Sequence, residues 1–197
     1  VSLHSNFLEE MKIKEVIGAL ERFAPLPLQD GFDNAGLQIG LTEAEATGAL
    51  LCLDVTEAVV DEAVTLGYNL IVSHHPLIFK GIKQVSDQNF IGRRLVKLIQ
   101  HDISYYAMHT NYDVKGMADL AADYLKLENC QILDVTGENE SGEPEGIGRV
   151  GEIPSASDND EQRNEISLAD YCEEVKKAFA LDTVKVFGNL KQKVHRV

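Results

Sequence analysis

Leu70-Ile71-Val72-Ser73-His74-His75-Pro76 joins a short, wholly apolar run to two adjacent imidazoles and a proline. A run this short, without polar alternation, suits a strand buried on both faces. Upstream, Thr56 to Leu66 has apolar residues at helical spacing and closes at Gly67, and Ala49 to Leu53 is another apolar run. Downstream come an amphipathic stretch from Phe90 to Gln100, a third run from Ile103 to Met108, and a helical pattern from Met117 to Leu125. The order is βαβαβα, which predicts a parallel sheet with right-handed crossovers. Ahead of it, Ile13, Val16, Ile17, Leu20 and Phe23 predict a helix that begins at Met11 and is stopped by Pro25 and Pro27. Gly31 to Gly40 reads as an ordered loop leading into a short strand.

The fold class expected is therefore α/β: a mixed or mostly parallel sheet with flanking helices, plus a smaller α+β second lobe. Residues 1–10 precede the first periodic segment and read as an upstream extension, and residues 11–133 form the α/β lobe. Residues 134–166 carry ten acids against Arg149 and Arg163, which predicts a solvated acidic connector enclosing a strand from Ile147 to Ile153. Residues 167–197 read as the start of the second lobe. There Ser167-Leu168-Ala169-Asp170 is a capping box, followed by a helix carrying Leu168, Tyr171, Val175 and Phe179 and a strand from Thr183 to Phe187. Lys193 to Val197 reads as the opening of a further strand, so this lobe is expected to be incomplete.

Composition narrows the function classes. The 197 residues carry 18 Lys plus Arg against 32 Asp plus Glu, a net charge of −14, which argues against a general grip on phosphate backbones. No apolar run approaches the roughly 18 residues of a membrane-spanning helix, and no basic-then-apolar leader opens the chain. Cys52, Cys130 and Cys172 lie far apart without a C-x-x-C spacing, which fits a reducing cytoplasm.

In a parallel α/β sheet, ligands collect at the carboxyl ends of the strands. Here the first strand ends in Asp54, the second in Ser73-His74-His75-Pro76, and the third in His109-Thr110-Asn111-Tyr112-Asp113. Adjacent side chains on a regular strand point to opposite faces, so His74 and His75 are expected to serve different ions rather than clasp one. Asp113 suits a carboxylate that bridges two cations, and His109 suits a further ligand, an orienting partner or a general acid. Imidazole with carboxylate favours Zn, Fe, Mn or Co over Ca. Asp54 reads more simply as a helix cap, and His101 as a favourable charge at a helix C-terminus. His4 and His195 have no such setting. Gly146-Ile147-Gly148-Arg149-Val150-Gly151 matches G-x-G-x-x-G, but it follows an acidic stretch and leads toward Pro154, which argues against a dinucleotide site. Neither a P-loop nor a G-x-S-x-G elbow is present, and Cys52 lacks an evident base.

Three motifs in order, Asp33-Asn34-x-Gly36-Leu37-Gln38-Ile39-Gly40, Ser73-His74-His75-Pro76 and His109-Thr110-Asn111-x-Asp113, with a weaker Gly146-Ile147-Gly148-Arg149 turn, resemble the NIF-three-like dinuclear-metal family, also called GTP cyclohydrolase I type 2 homologues. The resemblance runs from Met11 to Val197. It implies an α/β fold of two similar lobes, a toroidal homohexamer, and two divalent ions per subunit held in part by His74, His75 and Asp113. The family completes its site with a histidine and a glutamate near its C-terminus, a segment without a counterpart in residues 1–197. The cyclohydrolase label implies hydrolytic opening of a guanine imidazole ring by metal-activated water, with the second ion or His109 assisting. The reading is thus a cytoplasmic metal-dependent hydrolase of a small, nucleotide-like substrate, with no membrane or nucleic-acid partner. The alternatives are a non-catalytic metal-binding or regulatory hexameric protein and a structural α/β domain without metal.

Overall fold

The computed structural model describes residues 11–139, 141–154 and 166–197. The chain divides into two compact units, Val1–Tyr112 and Asp113–Val197. The expectation for residues 1–10, and that for the acidic stretch at 155–165, fall outside the described residues.

The first unit runs α1 (Ile13–Phe23), β1 (Gly36–Ile39), β2 (Ala49–Cys52), α2 (Glu57–Leu66), β3 (Leu70–Ser73), α3 (Phe90–Gln100), β4 (Ser104–Ala107) and one helical turn, α4 (Thr110–Tyr112). Its sheet has the order β1-β4-β3-β2, with β2, β3 and β4 parallel and β1 antiparallel to β4. The expected mostly parallel α/β sheet with flanking helices is what forms.

Strand alternation distributes the apolar run at β3 between two layers. Ile71 packs with Val60, Ala63, Leu95 and Leu98, from α2 and α3. Leu70 and Val72 pack on the other face with Ile13 and Ile17 of α1. All four residues of β3 are buried, as are all four of β4, because helices cover both faces of a parallel sheet. The helix ends follow local chemistry. Thr56 accepts from Val59 N at the start of α2, Gly67 closes that helix in the left-handed region (φ 68°), and Asn89 accepts from Gly92 N at the start of α3. His101 stands at the C-terminal end of α3, as expected.

The second unit begins with a π-helical turn, Asp113–Met117, followed by α5 (Ala118–Tyr124), β5 (Glu128–Glu138), β6 (Pro144–Glu152), β7 (Ile166–Ser167), α6 (Leu168–Ala178) and β8 (Lys193–Val194). β5 pairs antiparallel with β6, and β7 with β8. The strand expected from Ile147 to Ile153 is present as β6, and residues 134–138 extend the ribbon as the end of β5. Acidic side chains on an exposed two-stranded ribbon satisfy the same solvation that composition reads as a loop.

The glycine-rich match at 146–151 belongs to this ribbon. A Cβ on Gly146 would stand 2.0 Å from the Asp134 carbonyl oxygen, and Gly148 takes φ +74°. These glycines serve the close approach and twist of two strands, not a phosphate loop. Arg149 joins β6 to α5 through a bidentate pair with Asp119 at 2.5 and 3.0 Å. Ser167 caps α6 as expected, accepting from Asp170 N at 3.1 Å. The strand expected from Thr183 to Phe187 does not form. Despite its alternating pattern, no neighbouring strand among the described residues takes up its backbone, and the pairing goes to Lys193–Val194 instead.

Candidate metal centre

The carboxyl ends of β3 and β4 lie side by side, because Ser73 and Ala107 are partners in the ladder. Past its last strand residue, the β3 chain keeps its neighbours: His74 N donates to Cys52 O at 3.1 Å and His75 N to Leu53 O at 3.0 Å. Tyr105, wholly buried on β4, holds the turn from within. Its hydroxyl donates to His75 O at 3.0 Å, accepts from Leu77 N at 2.8 Å and lies 2.7 Å from Ser73 Oγ. Burial pushes the Tyr105 phenol up to about 12, so it stays protonated and able to donate.

This turn overrides the alternation expected of a strand. The rings of His74 and His75 have centroids 5.0 Å apart, and that of His109, from the tip of β4, lies 5.1 Å from His74 and 5.8 Å from His75. One possible ligand nitrogen from each of the three lies within 4.8 Å of the others. Two nitrogens bound at about 2.1 Å to one ion stand roughly 3 to 4 Å apart, so small side-chain rotations close the set around a cation.

The hydrogen bonds behind the rings sharpen the fit. His74 Nδ1 lies 2.9 Å from Met108 O, His75 Nδ1 2.8 Å from Asp54 Oδ1, and His109 Nδ1 2.8 Å from Asp33 Oδ1. A ring that donates through Nδ1 to an oxygen carries its lone pair on Nε2, the arrangement that orients imidazoles toward a metal. The donor set therefore fits a divalent transition ion such as Zn, Fe, Mn or Co.

Asp54 is not a helix cap, since Thr56 caps α2; it holds His75. Asp33 is a site residue that residue-by-residue reading missed, because its place in a glycine-rich loop 76 positions before His109 says nothing of the contact. Its carboxylate side chain is fully buried against a His109 side chain that is 19 % exposed. Oδ2 accepts from Thr110 N at 3.1 Å and Thr110 Oγ1 at 2.5 Å, and Oδ1 from Asn34 N at 2.7 Å. Burial raises the Asp33 carboxyl pKa, but the bonds from Thr110, His109 and Asn34 outweigh it and hold the group below its ordinary value.

Of the residues singled out from sequence, His74, His75 and His109 are brought together. Asp113 opens the second unit at the head of its π-helical turn and is described with that unit. Cys52 is not a nucleophile: burial, and then the Asp54 carboxylate, push its thiol up to about 11. We expect a thiol-alkylating reagent at neutral pH to modify the exposed Cys130 well before Cys52, as peptide mapping would show. Faster labelling of Cys52 would contradict the burial argument. Among the described residues no helix is long and apolar enough to cross a membrane.

A mostly parallel α/β sheet whose strand tips gather three oxygen-held imidazoles defines an α/β protein with three histidines that could hold a metal ion. The chain belongs to the Duf34/NIF3 (NGG1p interacting factor 3) family, whose model matches residues 11–197. A Clostridium acetobutylicum protein named GTP cyclohydrolase 1 type 2 homolog is 32 % identical over 187 residues, which is 94 % of this chain and 66 % of the relative. The crystal structure of a Staphylococcus aureus hypothetical protein superposes with a TM-score of 0.82 at 31 % identity, covering 94 % of this chain and 70 % of that one. That of a Bacillus cereus protein related to NIF3 gives 0.84 at 25 % identity, covering 94 % and 75 %.

Proposed function

We propose that this protein is a metal-dependent hydrolase of a small, nucleotide-like substrate, working in the cytoplasm as a homohexamer with two divalent ions per subunit. His74, His75 and Asp113 are the metal ligands, and His109 is the catalytic imidazole beside them. In this reading residues 167–197 open a second lobe. The observation that supports it most is the set of three imidazoles, each backed through Nδ1 by an oxygen acceptor, since His74 and His75 so held have the outer shell that metal ligands need and His109 so held keeps its Nε2 for proton transfer. The name of the Clostridium relative points to a guanine-nucleotide cyclohydrolase as the reaction class.

When bound, the ions supply Lewis-acid polarisation of the substrate and a lowered pKa for water. The chain's own residues do the remainder. Asp33 fixes the His109 ring through Nδ1, which leaves Nε2 as the atom for proton transfer. The Asp54 carboxylate holds His75, the most exposed of the three rings. That exposure suits a position that stays open to water and substrate, as catalysis needs and a closed structural site does not.

The test is elemental analysis of the purified protein and its Asp113→Ala variant, with a hydrolysis screen over guanine nucleotides. We expect about two divalent ions per chain, fewer in the variant, and turnover that disappears with chelation. Equal metal content in both would remove Asp113 from the site. Full metal content with no turnover of any nucleotide would favour the regulatory, non-catalytic alternative.

A further inference from the structure

Two large aromatic side chains beside the histidines lie open to solvent, Phe32 at 68 % exposure and Phe79 at 44 %. Their ring centroids are 6.4 Å apart with the planes inclined at 56°. Phe79 also meets His109 edge-on, with centroids 6.4 Å apart and planes at 90°. Leaving two neighbouring phenyl rings in water forgoes about 25 cal/mol for each Å² of apolar surface that a ligand could cover.

The two rings stand on different loops, and those loops are fastened to each other. Asn34 Nδ2 donates to Ile78 O at 2.6 Å. The Gln38 side-chain amide pairs with the Ile78 peptide in both senses: Nε2 donates to Ile78 O at 3.1 Å, and Ile78 N donates to Gln38 Oε1 at 2.8 Å. Gln38 Nε2 also reaches Asn34 O at 2.6 Å. Phe32 lies two residues before Asn34 and Phe79 one after Ile78, so this amide clamp holds the spacing between the rings. Exposed aromatics on stapled loops are preorganised for a planar partner, which gains dispersion contact at a reduced ordering cost. The charge of the loop agrees. From Ser73 to Ser86 it carries Lys80 and Lys83 and no acid, in a chain of net −14, whereas the Phe32 loop carries Asp30 and Asp33, so the two lysines on the Phe79 side are what would attract a phosphate.

We propose that Phe32 and Phe79 form the stacking platform for the planar ring of the ligand, and so determine specificity for a nucleobase over a non-aromatic phosphate ester. The edge contact of Phe79 with His109 puts this platform beside the imidazoles. This deepens the functional reading and rests on it only in taking the substrate to be nucleotide-like.

Equilibrium binding of GMP and of ribose 5-phosphate, which lacks the base, tests the platform. It is measured on the wild type, Phe32→Ala, Phe79→Ala and Phe79→Trp, each metal-loaded and after EDTA treatment. We expect the wild type to bind GMP at least tenfold more tightly than ribose 5-phosphate. Each Ala variant is expected to lose about tenfold or more for GMP alone, the scale of one base–aromatic stack, and Trp to retain binding. Unchanged circular dichroism is expected, because both rings are exposed. GMP bound no better than ribose 5-phosphate, or bound equally by the Ala variants, would overturn the platform. So would Ala variants that alter only the oligomeric state in size-exclusion chromatography. If no hydrolysis is found but Phe-dependent GMP binding persists after EDTA treatment, the platform stands and the hydrolase reading falls. If hydrolysis is found and the Phe variants bind GMP like the wild type, the reverse holds.

Discussion

Replacing His75 with Ala is expected to weaken divalent-metal binding by more than about 100-fold while leaving the fold intact. Loss of an outer orienting partner costs roughly 10- to 100-fold in metal affinity, and loss of the ligating imidazole itself exceeds that. The side chain is 47 % exposed and its partner Asp54 is 59 % exposed, so truncation opens no sealed cavity and strands no buried charge. The stability change should stay within about 1 kcal/mol. Competition against a chelator of known affinity reads the metal term, and a thermal melt of the metal-free protein reads the other. Wild-type affinity in His75→Ala would exclude this imidazole from the coordination sphere. Asp54→Ala makes the graded comparison, with an expected loss of about tenfold and little change in the melt.

Asp33→Ala is expected to do the opposite, unsettling the fold as much as the metal. The carboxylate is fully buried and accepts from His109 Nδ1, Thr110 N, Thr110 Oγ1 and Asn34 N. Removing it leaves several donors without an acceptor at a buried place, at a cost of about 2 to 4 kcal/mol. For a chain of this length that lowers Tm by roughly 5 to 15 °C. The sign of the pH dependence follows from the held-down carboxyl. The folded state favours the ionised form, so Asp33 stabilises fully above its unfolded pKa of about 3.9 and loses that contribution as acid protonates it. Asp33→Asn should therefore destabilise at neutral pH and show a shallower stability loss below pH 4 than the wild type. A melt of Asp33→Ala within 1 °C of the wild type would mean that the buried carboxylate does not organise the β4 tip.

Both experiments bear on how much of the site could be read along the chain. His74, His75 and His109 were legible because strand ends in a parallel sheet converge, and the βαβα order makes the strand ends identifiable. The carboxylates behind them were harder. Asp54 stands two residues before a genuine cap, Thr56, and capping statistics favour either residue until the hydrogen bond of Thr56 to Val59 N is seen. Asp33 was conspicuous only as part of a glycine-rich motif. Its partner lies 76 residues away, and no periodicity carries information over that separation. Of the ribbon, the sequence shows the β6 strand but not its β5 partner at 134–138, because solvent-facing acids look alike in a loop and on an exposed strand. Over Thr183 to Phe187 the reverse holds: alternation predicts a strand whether or not another stands beside it, and none among the described residues does.

Apolar runs alternating with amphipathic stretches were enough to determine the sheet, its mostly parallel sense and the strand tips that bear the imidazoles. Side-chain periodicity and the reach of short connections are local properties, written in consecutive residues. Only the tertiary structure decided that His74 and His75 turn to the same space, that each imidazole is backed through Nδ1, and that Phe32 and Phe79 stand beside them. Those facts depend on a Tyr105 hydroxyl, an Asp33 carboxylate and a Gln38 amide from distant segments, and hydrogen bonds across such distances exist only once the chain has closed on itself.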